Sequence, residues 1–248
     1  AQEQWHRGKQ WHGGVGKRRV LAVGGELKSA VCLLHDGEAL LSEHLGELTN
    51  PQAYRHFVKA IERLRELFAF EPDVIACDLH PQYLSTQYAR QFGKPVIAVQ
   101  HHHAHIASVM AEYGDDGPVI GLSCDGTGYG TDGVTWACEV LLCERGTFER
   151  LGHLEYFPLI GGDKAAIETW RPAAALLRQA LPDNWERAGR FADAGISAET
   201  LRIAAQQMDR SINAPPSSSL GRVFDGVSFL LGLCPRNRHE AEGAMALE

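Results

Sequence analysis

No Cys-x-x-Cys pair occurs among the six cysteines, Cys32, Cys77, Cys124, Cys138, Cys143 and Cys234, so a zinc ribbon is not indicated. The sequence also lacks His-Glu-x-x-His, Gly-x-Ser-x-Gly and Gly-x-x-x-x-Gly-Lys-[Ser/Thr]. Those absences set aside the zinc-protease helix, the hydrolase nucleophile elbow and the P-loop. No apolar run is long enough to span a bilayer, and no membrane partner is expected. The polar, basic start, Ala1 to Arg19, has no apolar h-region and does not read as a secretory signal. No long Lys/Arg cluster occurs and the formal net charge is -7, so a broad nucleic-acid footprint is not expected. A small basic pocket for phosphate remains compatible with that balance.

What is present is ordinary for a globular chain: 248 residues, 44% hydrophobic and 22% charged, enough for one large domain or two lobes. Several cysteines lie in apolar, strand-like runs, which reads as buried, reduced core thiols of a cytoplasmic protein. Residues 1–18 are expected to be a linker, 19–116 a first lobe and 117–248 a second, partial lobe. In the first lobe, 20–24, 29–34 and 39–44 read as strands, with a turn at His35-Asp36-Gly37-Glu38. Asn50 before Pro51 predicts a helix start. Tyr54, Phe57, Val58, Ile61, Leu64 and Phe68 follow at helical spacing as its buried face. Strand 74–77, helix 84–92, strand 95–99 and a further helix complete a β-β-β-α-β-α-β-α order. The pattern restarts with strand 119–124 and a glycine-rich turn, then strands 134–142 and 148–156. Residues 165–231 read as mostly helical, broken by a loop at 213–219. Two strand sets, each opening on a strand that ends in glycines, predict an α/β fold of two related lobes, the topology of the actin-like ATPase (ASKHA) superfold. Mixed sheets flanked by helices are expected, with the second lobe incomplete.

The run Gln100-His101-His102-His103-Ala104-His105 lies between an apolar strand and a helix-like segment, unlike an affinity tag, which would sit at a terminus. On a helix His101 and His105 share one face, and two imidazoles there can hold one metal ion. His102 and His103 turn away, as packing or ligand-contacting groups. Asp125 closes strand 119–124 and is the natural third ligand; two imidazoles and a carboxylate suit iron and zinc alike and keep positions open for substrate. In Asp125-Gly126-Thr127-Gly128-Tyr129-Gly130 the glycines allow backbone to approach an anion, although an ordinary hairpin turn would look the same. In Gly24-Gly25-Glu26-Leu27-Lys28, Lys28 is placed to meet a phosphate or else is an exposed hairpin lysine. Gly161-Gly162-Asp163-Lys164 precedes a predicted helix and is either an anion site at its N-terminus or a capping turn with Asp163 as N-cap. Arg171 and Arg222 either balance phosphate charge or lie on the surface.

These segments, with Asp78-Leu79-His80-Pro81-Gln82-Tyr83-Leu84-Ser85-Thr86, 218–225 and the ending Glu242-Gly243-Ala244-Met245-Ala246-Leu247-Glu248, closely resemble the HypF carbamoyltransferase family over residues 20–248. The resemblance is to its C-terminal domain, itself similar to the tRNA threonylcarbamoyl transferase TsaD and to antibiotic O-carbamoyltransferases. It implies that carbamoyl phosphate and ATP are converted to carbamoyl-adenylate, and that this domain passes the carbamoyl group to the C-terminal cysteine of HypE. HypE then forms the thiocyanate from which the cyanide ligands of [NiFe]-hydrogenase derive. The resemblance assigns a divalent metal to His101, His105 and Asp125. It carries Lys28 and His102 as candidate catalytic groups. The nucleotide side falls to Gly24, Gly25, Asp125, Gly126, Thr127, Gly128, Asp163, Lys164, Gly221, Arg222 and Asp225.

The family's acylphosphatase, zinc-finger and adenylate-forming regions are not in this chain, nor is its distal glycine-rich nucleotide segment with a further metal-binding aspartate. They are expected to act in cis or in trans, and the chain alone is expected to bind ATP weakly. A natural short protein, a fragment of a larger one and an expressed piece all fit. Carbamoylation of a small-molecule hydroxyl is the alternative enzyme reading, and an inactive nucleotide-binding remnant is the alternative from another class. No covalent carbamoyl-enzyme is expected, because Cys124 reads as a structural thiol on a buried strand.

Overall fold

The computed structural model describes residues 6–7, by their backbone alone, and 18–248. The expected linker 1–18 therefore lies largely outside the described residues. The chain forms two compact units: the residues up to Val119 with Cys143–Thr147, and Ile120–Leu142 with Phe148–Glu248.

The first unit is built on a mixed six-stranded sheet. Its strands are β1 (His6–Arg7), β2 (Val20–Ala22), β3 (Cys32–His35), β4 (Glu38–Leu41), β5 (Val74–Asp78) and β6 (Val96–Val99), in the order β1-β4-β3-β2-β5-β6. Its helices are α1 (Pro51–Leu67), α2 (Leu84–Gln91) and α3 (His101–Tyr113). The predicted element order holds, with β1 added ahead of it. Leu21 of β2 lies opposite Leu33 of antiparallel β3 and beside Ile75 of parallel β5, and all three are buried. α1 starts as its sequence dictates: the Asn50 side chain accepts from the Gln52 N–H at 2.8 Å, and Pro51 needs no donor at the first position. Phe57, Ile61 and Leu64 are fully buried, each contributing about 1.5–3 kcal/mol of burial. Phe68 departs from expectation, because α1 stops at Leu67 and leaves Phe68 47% exposed beyond the buried stripe.

The second unit has a mixed five-stranded sheet. β7 (Val119–Tyr129), β8 (Thr135–Cys143), β10 (Phe157–Pro158) and β11 (Pro216–Ser217) lie in the order β10-β11-β8-β7, with β9 (Phe148–His153) paired to β8. A 3-10 turn (Gly162–Ala166) precedes α4 (Trp170–Ala180), α5 (Trp185–Ala188), α6 (Ala198–Arg210), α7 (Leu220–Leu230) and α8 (Glu242–Met245). Phe157, Ile160, Trp170, Trp185, Phe191 and Phe229 anchor its core. α4 and α7 approach closely at Gly226, where a Cβ would lie 3.0 Å from the Ala173 nitrogen, a contact tight enough to favour glycine.

Two expectations fail here. The segment 125–130 is not a turn: β7 continues extended through Tyr129, and the reversal falls at 130–133, where the Gly133 N–H reaches the Gly130 carbonyl and Gly133 takes φ +80°. Asp132 sets that reversal by accepting from the Val134 N–H and the Trp136 indole N–H. Nor is Asp163 an N-cap, since it lies inside the 3-10 turn behind Gly161 at φ +85°. Among the described residues no helix is long and apolar enough to cross a membrane.

Candidate metal centre

β5 and β6 are parallel neighbours in a register that sets Asp78 beside Val99. Both strands therefore deliver their C-terminal ends to one place, the usual ligand edge of such a sheet. β6 passes directly into α3 through Gln100, whose side-chain oxygen accepts from the His103 N–H at 2.9 Å and caps the helix. His101 and His105 then stand one turn apart with their Nε2 atoms 3.2 Å apart. Two ligand nitrogens on a tetrahedral ion at about 2.0–2.1 Å are separated by about 3.3 Å, so the pair fits one divalent metal without rearrangement.

The other ring nitrogen of His101, Nδ1, lies 2.6 Å from Asp78 Oδ2, and the other carboxylate oxygen of Asp78 accepts from the His80 N–H at 2.8 Å. Asp78 is buried and His105 exposed, so the histidine pair opens outward from a closed base. His102 is fully buried, with Nδ1 3.2 Å from the Gln100 amide nitrogen, and His103 is anchored by Nε2 at 2.9 Å from the Glu144 carbonyl.

The first glycine turn meets this pair. A Cβ on Gly25 would stand 3.9 Å from His101 Cε1. Gly24 has φ +68°, and a Cβ there would lie 2.4 Å from the Ala30 carbonyl oxygen, so only glycine fits. Lys28 is exposed and held at φ +48°, a left-handed conformation that costs a non-glycine residue about 1–2 kcal/mol. Buried Glu26 accepts from the Leu84 N–H at 2.7 Å and so ties the turn to the start of α2.

The remaining candidates belong to the second unit. Asp125 is half-buried on β7 and accepts from the Gly126 N–H at 2.6 Å. Ser219, the N-cap of α7, donates to the Gly126 carbonyl at 2.7 Å, which joins Gly126, Thr127 and Gly128 to the helix start bearing Gly221 and Arg222. Asp225 is 1% exposed; its carboxylate pairs with Arg222 Nε at 2.6 Å and accepts from the Asn237 amide at 2.9 Å. The Asn237 amide also donates to the Ala166 carbonyl, which links the turn carrying exposed Asp163 and Lys164 to the same network. Arg171, in that unit, pairs with Glu168.

The cysteines are free, but Cys124 is exposed rather than buried, since it shares with Ile120 and Leu122 the open face of β7. Its sulfur lies 2.8 Å from that of Cys138 on β8. Burial, then the neighbouring Cys124 thiol, push the Cys138 thiol up to about 12. Burial pushes Cys32 up to about 11.

Asp78, Gln100, Glu26 and Ser219 had no assigned role in the sequence. The signal that marks Asp78 is a carboxylate ending an apolar strand, at the level where the next strand runs into the histidines.

Two family descriptions match the chain: "HypF Kae1-like domain" over residues 16–112, and "Carbamoyltransferase, Kae1-like Domain, second subdomain" over residues 121–248. Carbamoyltransferase HypF2 of Cupriavidus necator is 45% identical over 233 residues, covering 92% of this chain and 28% of that protein. Carbamoyltransferase HypF of Rhodobacter capsulatus is 42% identical over 239 residues, covering 93% and 31%. Among solved structures, full-length HypF in a phosphate- and nucleotide-bound form matches with a TM-score of 0.89 at 41% identity, covering 99% of this chain and 38% of that one. HypF of T. kodakarensis matches with a TM-score of 0.84 at 35% identity, covering 93% and 32%. The chain thus spans well under half the length of these relatives.

Proposed function

The chain belongs to the HypF carbamoyltransferase family, as its Kae1-like domain, and from that premise we propose that it carries the carbamoyl-transfer site. The donor is carbamoyl-adenylate, made from carbamoyl phosphate and ATP by regions of the whole protein acting in cis or in trans. The acceptor is the C-terminal cysteine of a HypE-like partner, in the cytoplasm, where such thiols stay reduced. The observation that carries this reading is the His101–His105 pair, whose Nε2 atoms stand 3.2 Å apart at the ligand edge of the first sheet.

His101 and His105 hold a divalent metal, iron or zinc, with Asp125 as third ligand. Bound there, the metal supplies Lewis-acid polarisation of the carbamoyl group. Gly24 and Gly25 let backbone approach the phosphate, and Lys28 offsets its charge. Gly126, Thr127 and Gly128 form the second backbone approach, and Asp163, Lys164, Gly221, Arg222 and Asp225 belong to the nucleotide side. Within that set Asp225 acts by holding Arg222, because its carboxylate is buried against Arg222 and Asn237. His102 has no exposed surface and acts by packing α3 onto Gln100 rather than by touching the substrate. The partner's thiolate forms the C–S bond as the C–O bond to the adenylate phosphate breaks, and AMP leaves. No cysteine of this chain takes part. The thiolate is the nucleophile, so transfer rises with pH up to the acceptor thiol's ordinary pKa of about 8.5.

The experiment supplies the whole protein, or this chain with the remaining regions, with labelled carbamoyl phosphate, ATP and a HypE-like tail. Label is expected on the tail cysteine, and His101→Ala and His105→Ala are expected to abolish both bound metal and transfer. Full transfer by a folded His101→Ala, His105→Ala double variant would overturn the site. Stable label on Cys124, or label on a small-molecule hydroxyl in preference to the tail, would overturn the acceptor.

A further inference from the structure

We propose that Asp78 is a positioning residue that fixes the tautomer and orientation of His101 and thereby sets the metal affinity of the His101–His105 pair. The inference rests on the reading of those histidines as metal ligands.

Asp78 is the last residue of β5, and the pairing of that strand with β6 continues past it, with the Leu79 N–H reaching the Val99 carbonyl at 2.9 Å. Its own carbonyl accepts from the Thr86 hydroxyl at 3.1 Å, so the residue is held from the α2 side as well. The side chain is 6% exposed. One oxygen accepts from the His80 N–H at 2.8 Å, and the other stands 2.6 Å from His101 Nδ1. A carboxylate only accepts hydrogen bonds, so the proton of His101 sits on Nδ1. Nε2 then carries its lone pair toward His105. That is the tautomer a metal needs, and the carboxylate also makes the ring a stronger donor to the ion. Loss of such a partner costs 10–100-fold in metal affinity in general.

Asp78→Asn separates positioning from structure. The amide oxygen still accepts from the His80 N–H, while its NH2 group faces His101 Nδ1 and turns that nitrogen into an acceptor. The proton then moves to Nε2, where it blocks the metal.

The test uses this chain with Zn(II), titrated in competition with a chromophoric chelator, together with 15N shifts of the His101 ring in the metal-free protein. The wild type is expected to bind one Zn(II) and to show protonated Nδ1 at His101. Asp78→Asn is expected to keep its circular dichroism, shift the ring proton to Nε2 and weaken Zn(II) binding 10–100-fold. His101→Ala is expected to lose binding. Asp78→Asn binding within twofold of wild type, with His101→Ala defective, overturns the role of Asp78 and leaves the metal reading standing. A wild type that binds no Zn(II), or a His101→Ala variant that binds like wild type, overturns the metal reading and this proposal with it. The wild-type ring shifts need no variant to fold: protonated Nε2 in the unsubstituted protein overturns the proposal directly.

Discussion

Ser219→Ala should destabilise the second unit about twice as much as Ser197→Ala, although both remove a serine N-cap. Ser197 is exposed; its oxygen accepts from the Thr200 N–H at 3.1 Å at the start of α6 and also meets the Thr200 hydroxyl at 2.9 Å, an exposed bond that water replaces. Losing that cap costs about 1 kcal/mol. Ser219 is fully buried and does two things: it accepts from the Arg222 N–H at 3.3 Å, and it donates to the Gly126 carbonyl at 2.7 Å. The second bond joins α7 to β7 across 93 residues of sequence. Its loss adds about 1 kcal/mol for the hydrogen bond, for a total of about 2 kcal/mol. Urea unfolding followed by tryptophan fluorescence suits the comparison, because three of the five tryptophans, Trp136, Trp170 and Trp185, lie in the second unit. With a urea slope of about 2 kcal/mol/M, the midpoint should fall by about 1 M for Ser219→Ala and about 0.5 M for Ser197→Ala. Equal shifts for the two variants, at unchanged slope, would refute the reasoning, because the bond to Gly126 would then contribute nothing.

Gly130→Ala should cost about 1–3 kcal/mol by overpacking: its Cβ would lie 2.3 Å from Trp136 Nε1, and the indole is pinned by Asp132 and by Arg150, 4.0 Å from the ring centroid. Near-wild-type unfolding of that variant would show that the indole yields. Glu139→Ala should cost about 1–3 kcal/mol in the same urea assay, since fully buried Glu139 accepts from Arg150 Nε at 2.6 Å, from Ser218 and from the Ala137 N–H, while Arg150 keeps Asp132 as a second carboxylate partner at 3.6 Å; no measurable cost would contradict this. At pH 8, iodoacetamide should modify exposed Cys124 while Cys138, raised to about 12, and Cys32, raised to about 11, remain as unreactive thiols. Because their pKa values are raised, reactivity at those two sites should appear only as pH climbs toward 11–12, and equal labelling of all three at pH 8 by peptide mass spectrometry would contradict the assignment.

Much of the first unit was legible because its signals are local. Asn50 and Pro51 mark the start of α1, and the spacing of Phe57, Ile61 and Leu64 marks its buried face, through interactions within one or two turns. The helix over the histidine run was legible for the same reason, and a four-residue spacing on a helix is sufficient to bring His101 and His105 together. The run 125–130 was not legible, because glycine permits both a turn and an extended strand. One bond to distant chain and one local turn settled it: Ser219 holds the Gly126 carbonyl from 93 residues away, and Asp132, by accepting from the Val134 and Trp136 N–H groups, places the reversal beyond Gly130.

The sequence by itself determined the alternation of strands and helices, the cap that starts α1, the facing histidine pair, and the family motifs that identify the domain. Tertiary structure alone decided which carboxylate supports His101. Asp78 and His101 are 23 residues apart, and nothing local relates them. The parallel pairing of β5 and β6 sets Asp78 beside Val99, two residues before His101, and only that register brings Asp78 within 2.6 Å of the ring. Packing likewise decided that Asp225 is closed off with Arg222 and Asn237, and that Cys124 lies on the open face of β7, because burial depends on what the rest of the chain lays over a residue.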